Sequence, residues 1–192
     1  MFSLSARLML AAAVAAGGVL AVPASASAAP KSCLVGKWKL TKYKMNSNVG
    51  GEVITSQGGG GTKLTVTKKS VKFDFAGSEK VVIKGKKPGG KAYRMAESYK
   101  KGLTFKSSFK GAKKGSLLLK AKSATGKATV TTLIGGKPIS TIKVANYHRS
   151  GEVNPFIPVF AQFSCTSKMM SLLMEADGPD GAMASEFYYT RR

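Results

Sequence analysis

The sequence predicts an all-β protein, an antiparallel up-and-down β-barrel of about eight to ten strands, with a β-sandwich as the alternative. Short runs of β-branched and aromatic residues alternate with Lys, Ser and Thr, and Gly-rich turns separate them at regular spacing. Helical periodicity is nearly absent. The 192 residues, 43% of them hydrophobic, are enough for one domain with a real core.

The N-terminal segment has the three-part pattern of a secretory signal peptide. Arg7 precedes an apolar run over residues 8–20, and a small-residue cluster follows at 24–29. That run is short for a membrane span, which needs about 20 residues. We expect residues 1–29 to be the signal peptide, cleaved after Ala28 or Ala29. The β-barrel domain then covers residues 30–192, and the protein is secreted or held in the cell envelope.

Export would place the two cysteines in an oxidising compartment, where a pair is more often bridged than free. Cys33 and Cys165 are the only cysteines in the chain. We therefore predict a Cys33–Cys165 disulfide. Such a bond requires the start of the mature domain to lie beside a late strand.

Each predicted strand is a short segment of alternating apolar and polar side chains. In order, these segments are 34–43, 62–67, 70–76, 80–85, 91–97, 102–107, 116–121, 127–134, 138–145, 160–166, 168–175 and 184–191. Lys68-Lys69 and Gly135-Gly136 lie between neighbouring runs and predict hairpin turns. Gly58–Gly61 is interpreted as a flexible turn, because no phosphate-loop sequence follows it.

The inward faces of these strands define the predicted ligand site. A barrel of about eight strands can hold one small molecule, or its interior can be filled by its own side chains. The sequence is compatible with a bound ligand and with a filled interior. The candidate ligand-binding residues are Val71, Phe73, Phe75, Phe105, Val130 and Ile142.

The chain is strongly basic, with 31 Lys and Arg against 9 Asp and Glu and a net charge of +22. Eight lysines and no acidic residue lie between Lys100 and Lys122. They favour either docking on an anionic envelope polymer or lipid surface, or solvated outward strand faces. Because lysines dominate, we expect no specific nucleic-acid recognition. The candidate anionic-surface residues are Lys100, Lys101, Lys106, Lys110, Lys113 and Lys114.

Residue patterns for catalysis are missing from the sequence. The lone His148 is interpreted as an exposed loop residue, and no paired carboxylates mark acid–base chemistry. One His and two Cys are too few for a Cys/His zinc site. We therefore expect a non-enzymatic protein without a metal or cofactor.

Both ends of the predicted domain carry a familiar pattern. Gly36-Lys37-Trp38 opens the first strand, and Tyr189-Thr190-Arg191 ends the last one. Together they resemble the lipocalins and the lipocalin-like domains of bacterial secreted proteins. The resemblance implies that Trp38 closes one end of the barrel and that Arg191 or Arg192 packs across its indole.

The functional expectation is a monomer that binds a small hydrophobic or amphiphilic molecule inside the barrel. The alternative is a basic envelope protein that docks on an anionic polymer or membrane and has a filled core.

Overall fold

The computed structural model describes residues 32–179 and 181–192, so the predicted signal peptide lies outside the described residues. The predicted all-β class is confirmed. The strands are β1 (Gly36–Val49), β2 (Glu52–Gly58), β3 (Lys63–Val66), β4 (Ser70–Asp74), β5 (Val81–Lys86), β6 (Ala92–Lys100), β7 (Gly102–Lys110), β8 (Lys114–Leu119), β9 (Thr125–Gly126), β10 (Thr129–Ile134), β11 (Lys137–Lys143), β12 (Phe160–Cys165), β13 (Met169–Gly178) and β14 (Gly181–Arg191). One short helix, α1 (Val144–Arg149), and a 3-10 turn at Ala121–Ser123 complete the elements.

Eight of these strands close into an antiparallel barrel, which confirms the barrel over the sandwich. They run around it in chain order: β1, β3, β4, β7, β8, β12, β13 and β14. Pairing of Gly36–Lys39 in β1 with Lys63–Val66 in β3 closes the cylinder. Each barrel strand therefore neighbours the next barrel strand in sequence, as in an up-and-down barrel.

The other long strands form a sheet that extends from the barrel wall, here called the wing: β2, β5, β6, β10 and β11. Their order is β2-β5-β6-β10-β11, and β2 pairs with the C-terminal half of β1 from Lys44 to Val49. A bulge at Thr41 interrupts the pairing of β1 with β14, between the half that pairs with β3 and the half that pairs with β2. Because a bulge bends and twists its strand, it redirects β1 out of the barrel.

The barrel interior is filled by its own side chains. Phe73, Phe75, Phe105 and Phe187 are each at most 2% exposed. Phe73 packs parallel to Phe75 and edge-on to Phe105. Such packing leaves these inward faces occupied by their neighbours.

The Gly36-x-Trp38 segment and the C-terminus meet at one end of the barrel. Trp38 is fully buried, and its indole N–H donates to the carbonyl of Leu34 at 2.9 Å. The Arg191 guanidinium lies 4.2 Å from the Trp38 ring centroid and donates to the carbonyls of Val35 and Cys33. Gly36 is needed because a Cβ there would collide with this guanidinium.

Arg192 takes a different position. Its side chain is exposed, and its backbone N–H donates to the carbonyl of Lys37. The structure thus places Arg191, of the two arginines, over the indole.

A disulfide joins Cys33 to Cys165, with their Cα atoms 5.9 Å apart. The neighbouring backbone is tied to the turn between β7 and β8, since Cys33 N–H donates to Ala112 and Cys165 N–H to Lys113. The disulfide indicates a compartment outside the cytoplasm. Within residues 32–179 and 181–192, no helix combines the length and apolar content needed to cross a membrane.

The structure corrects the prediction for His148. The predicted strand over residues 138–145 ends at Lys143, and α1 follows it. His148 lies on this helix, fully buried and edge-on to Phe105 at 5.2 Å, rather than in an exposed loop. Neither ring nitrogen has a hydrogen-bond partner among the described residues. Burial lowers the pKa of the imidazole below its usual 6.5.

We predict that Gly36→Ala lowers the free energy of unfolding by about 1–3 kcal/mol, the range for steric strain in a packed site. The new methyl group would displace Arg191 from Trp38. Urea denaturation measures the loss, and Lys37→Ala on the exposed neighbour is the control. Combining Gly36→Ala with Arg191→Ala should cost less than the two single changes together. Strict additivity would contradict the contact.

We also predict an acid-sensitive contribution from His148. Burial lowers its folded-state pKa, so the unfolded chain takes up more protons and stability falls as the pH drops below about 6.5. The contribution is absent above that pH. His148→Leu should therefore lose less stability than the native chain between pH 7.5 and 5, measured by urea denaturation at each pH. Equal losses in both proteins would contradict it.

Candidate functional site

A concavity of about 240 Å³ lies where the wing leaves the barrel. The strand register explains its lining, because Met45, Ser56, Ile83 and Met95 lie directly opposite one another across β1, β2, β5 and β6. The full lining is Tyr43, Met45, Ile54, Ser56, Val81, Ile83, Tyr93, Met95, Glu97, Asn154, Pro155 and Phe156.

Phe156 forms the floor of the concavity and separates it from the barrel core. Its ring packs against Tyr43 at 4.9 Å and Tyr99 at 4.8 Å, and it also contacts Phe75 from the core. The ring lies directly over Gly59, where any Cβ would overlap it. The glycine-rich turn between β2 and β3 thus makes room for the floor.

A polar network surrounds the inner end of the concavity. The Tyr99 hydroxyl donates to Glu97 Oε2 at 2.5 Å and accepts from Asn154 Nδ2 at 2.9 Å. Asn154 Oδ1 accepts from the backbone N–H of Phe156 at 2.9 Å, which fixes the floor to β6. Burial raises the pKa of Glu97, while the Tyr99 hydrogen bond opposes that rise.

Tyr93 forms part of the rim. Its ring lies across Gly85 on the neighbouring strand, where a Cβ would overlap the aromatic ring. Its hydroxyl donates to Glu52 Oε1 at 2.8 Å. The rim therefore carries a second carboxylate.

Charge distinguishes this concavity from the outer surface. Among the described residues that line it, none is Lys or Arg, and Glu97 is the charged side chain. A hollow of about 600 Å³ centred on the outer face of the wing is lined instead by Lys84, Lys86 and Arg94. The arrangement inside can hold a small, largely apolar molecule and hydrogen-bond to one polar group.

The predicted ligand-binding residues lie elsewhere. Val71, Phe73, Phe75 and Phe105 are buried in the barrel core. Val130 is buried on β10 of the wing, outside the eight-stranded cylinder.

Ile142 corrects a predicted inward position. It lies on β11, the last strand of the wing, and is 39% exposed. The alternation along this strand resembles that of a barrel strand, but β11 has a sheet neighbour on one side only.

Sequence reasoning missed the residues that do line the concavity. β2, which carries Ile54 and Ser56, is not among the predicted strands, and Glu97 is not among the predicted site residues. The alternation of Tyr93, Met95 and Glu97 along one strand was the available signal.

The six candidate lysines are all exposed, but they do not form one patch. Lys100 and Lys101 lie at one end of β7, whereas Lys110, Lys113 and Lys114 surround the turn at its other end. A nine-residue strand separates these ends by about 26 Å. Lys106 projects from the middle of β7.

Comparisons of the chain with protein-family models, with curated proteins and with solved structures found no match. The assignment of function therefore depends on the geometry of the concavity.

Proposed function

We propose that this is an exported, non-enzymatic binding protein that holds a small apolar or amphiphilic molecule in the concavity between barrel and wing. The observation that carries the proposal is the apolar and aromatic lining of a 240 Å³ space with a few polar groups at one end. Ligand sites combine these two features. The disulfide supports export, because such bonds persist in oxidising compartments.

The volume limits the size of the ligand. A cavity of about 150 Å³ accepts benzene, and sites for drug-sized molecules begin near 300 Å³. A volume of 240 Å³ therefore suits a molecule of about ten non-hydrogen atoms. Because phenylalanine side chains fill the barrel interior, we place the ligand in the concavity and assign the interior a structural role.

A test uses 3-phenylpropanol, a neutral amphiphile of matching size. We predict saturable chemical-shift changes in the methyl groups of Met45 and Met95, which line the concavity. Ile83→Phe fills the space and should weaken binding at least about tenfold, since it removes room for the ring. The control is Val82→Phe, at the neighbouring position on the opposite face of β5.

Two results would overturn this function. One is the absence of shifts in Met45 and Met95 up to millimolar 3-phenylpropanol. The other is equal weakening by Ile83→Phe and Val82→Phe, which would place binding outside the concavity.

The second candidate function is docking on an anionic envelope polymer through the turn between β7 and β8. The exposed Lys110, Lys113 and Lys114 lie within five residues there, and the disulfide segment holds the turn in place. Each lysine near an anionic surface contributes about 1 kcal/mol.

For this candidate, we predict that Lys110→Glu/Lys113→Glu/Lys114→Glu elutes from a polyphosphate resin at clearly lower salt than the native chain. The matched control changes three exposed lysines at the wing to Glu in the same way: Lys80, Lys84 and Lys86. Equal shifts for both triple variants would show attraction to net charge alone and would overturn docking at this turn.

A further inference from the structure

We propose that the ligand of the concavity is a small organic cation, an ammonium group on an apolar body, with its charge beside Glu97 and its apolar part against the aromatic walls. This inference rests on the proposed binding function. It names the chemical class of the ligand.

The first support is the environment of the Glu97 carboxylate. The hydrogen bond from the Tyr99 hydroxyl is the only one that this carboxylate accepts among the described residues. Over the same residues, the only ion pair joins Lys63 to Asp74 at 3.9 Å on the surface. A half-buried carboxylate thus faces a cavity whose described lining contains no Lys or Arg, in a chain with 31 basic residues. A charge in such a place is stabilised by an opposite one.

The second support is the chemistry of the walls. Tyr43, Tyr93 and Phe156 provide aromatic rings, whose electron-rich faces attract ammonium groups. Met45 on β1 and Met95 on β6 add polarizable thioethers at the two sides of the row that Ser56 and Ile83 complete between them. A carboxylate among aromatic rings favours a cation over a neutral or anionic ligand.

The lysine-rich exterior does not cancel this preference. Exposed charges are screened beyond about 8 Å at physiological salt, whereas a charge inside a cavity is screened much less. The lysines of the wing, such as Lys84 and Lys86, line the hollow on its outer face. A bound ammonium would therefore interact mainly with Glu97.

Proton linkage follows from this geometry. Burial raises the pKa of Glu97, and a bound cation would lower it again, so cation affinity should increase as the pH rises through the pKa of the free protein. Tyr93, which donates to the Glu52 carboxylate at the rim, lies about 13 Å from Glu97 along β6. The titratable groups that interact electrostatically with Glu97 are phenols: Tyr43 from β1, Tyr99 from β6 and Tyr147 from α1. Each has a raised pKa and stays neutral at acidic and neutral pH.

The chain provides a matched control for Glu97. Glu186 accepts a hydrogen bond from the Tyr188 hydroxyl at 2.8 Å, with the same two-residue spacing as Glu97 and Tyr99. Glu186 alternates with the buried Phe187 and lies on the outer face of β14. Glu186→Gln thus makes the same chemical change away from the concavity.

The experiment compares 3-phenylpropylamine, 3-phenylpropanol and 3-phenylpropanoate, which share one apolar body and differ in charge. Titration calorimetry at 0.15 M NaCl and pH 7 measures each affinity, and the Met45 and Met95 methyl signals locate the site. We expect the amine to bind about tenfold or more tightly than the alcohol, as for a charge-assisted hydrogen bond. Glu97→Gln should abolish this preference by lowering the amine affinity to that of the alcohol, and Glu186→Gln should leave the preference unchanged.

Three outcomes would overturn the inference while leaving the proposed function standing. The first is equal affinity for 3-phenylpropylamine and 3-phenylpropanol. The second is tighter binding of 3-phenylpropanoate than of the amine. The third is a preference for the amine over the alcohol that persists in Glu97→Gln. Loss of amine affinity between pH 7 and 4 that Glu97→Gln removes would support it. Failure of all three compounds to shift Met45 and Met95 would instead overturn the proposed function itself.

Discussion

The divided pairing of β1 is the constraint on which the rest of the structure depends. Its N-terminal residues pair with β3 and close the barrel, and its C-terminal half pairs with β2 and begins the wing. Both partners lie on the same side of β1, because β14 occupies the other side from Trp38 to Val49. The bulge at Thr41 marks the change of partner. Because a bulge bends its strand, it helps β1 to belong to both the closed cylinder and the open sheet.

The concavity is a consequence of that division. The inner face of a barrel is buried by the opposite wall, whereas Phe156 and its loop leave a space over the inner face of the wing. Met45, Ile54 and Ile83 therefore line a space at the edge of the core. The buried network of Glu97, Tyr99 and Asn154 holds the loop against β6 and gives the space one charged end.

Much of the barrel could be predicted from the sequence because its signals are local. The alternation of Val71, Phe73 and Phe75 predicts the barrel strand β4, and in the wing the Gly135-Gly136 pair predicts the hairpin between β10 and β11. β2 was not predicted because its polar residues and the glycines that follow them are typical of a loop. His148 was misplaced because one short helix gives too few residues for a periodic pattern, and its burial against Phe105 depends on a segment distant in sequence.

The sequence by itself determined the all-β class, most strands and which side chains share a strand face, since alternation is a property of neighbouring residues. The same alternation puts Tyr93, Met95 and Glu97 on one face of β6. Only the tertiary structure decided that this face lines a concavity, whereas the equivalent face of β4 fills a core. Which strands pair with each other depends on contacts between segments far apart in the chain, such as those that close the barrel. The periodicity of residues within one strand does not specify its pairing partner.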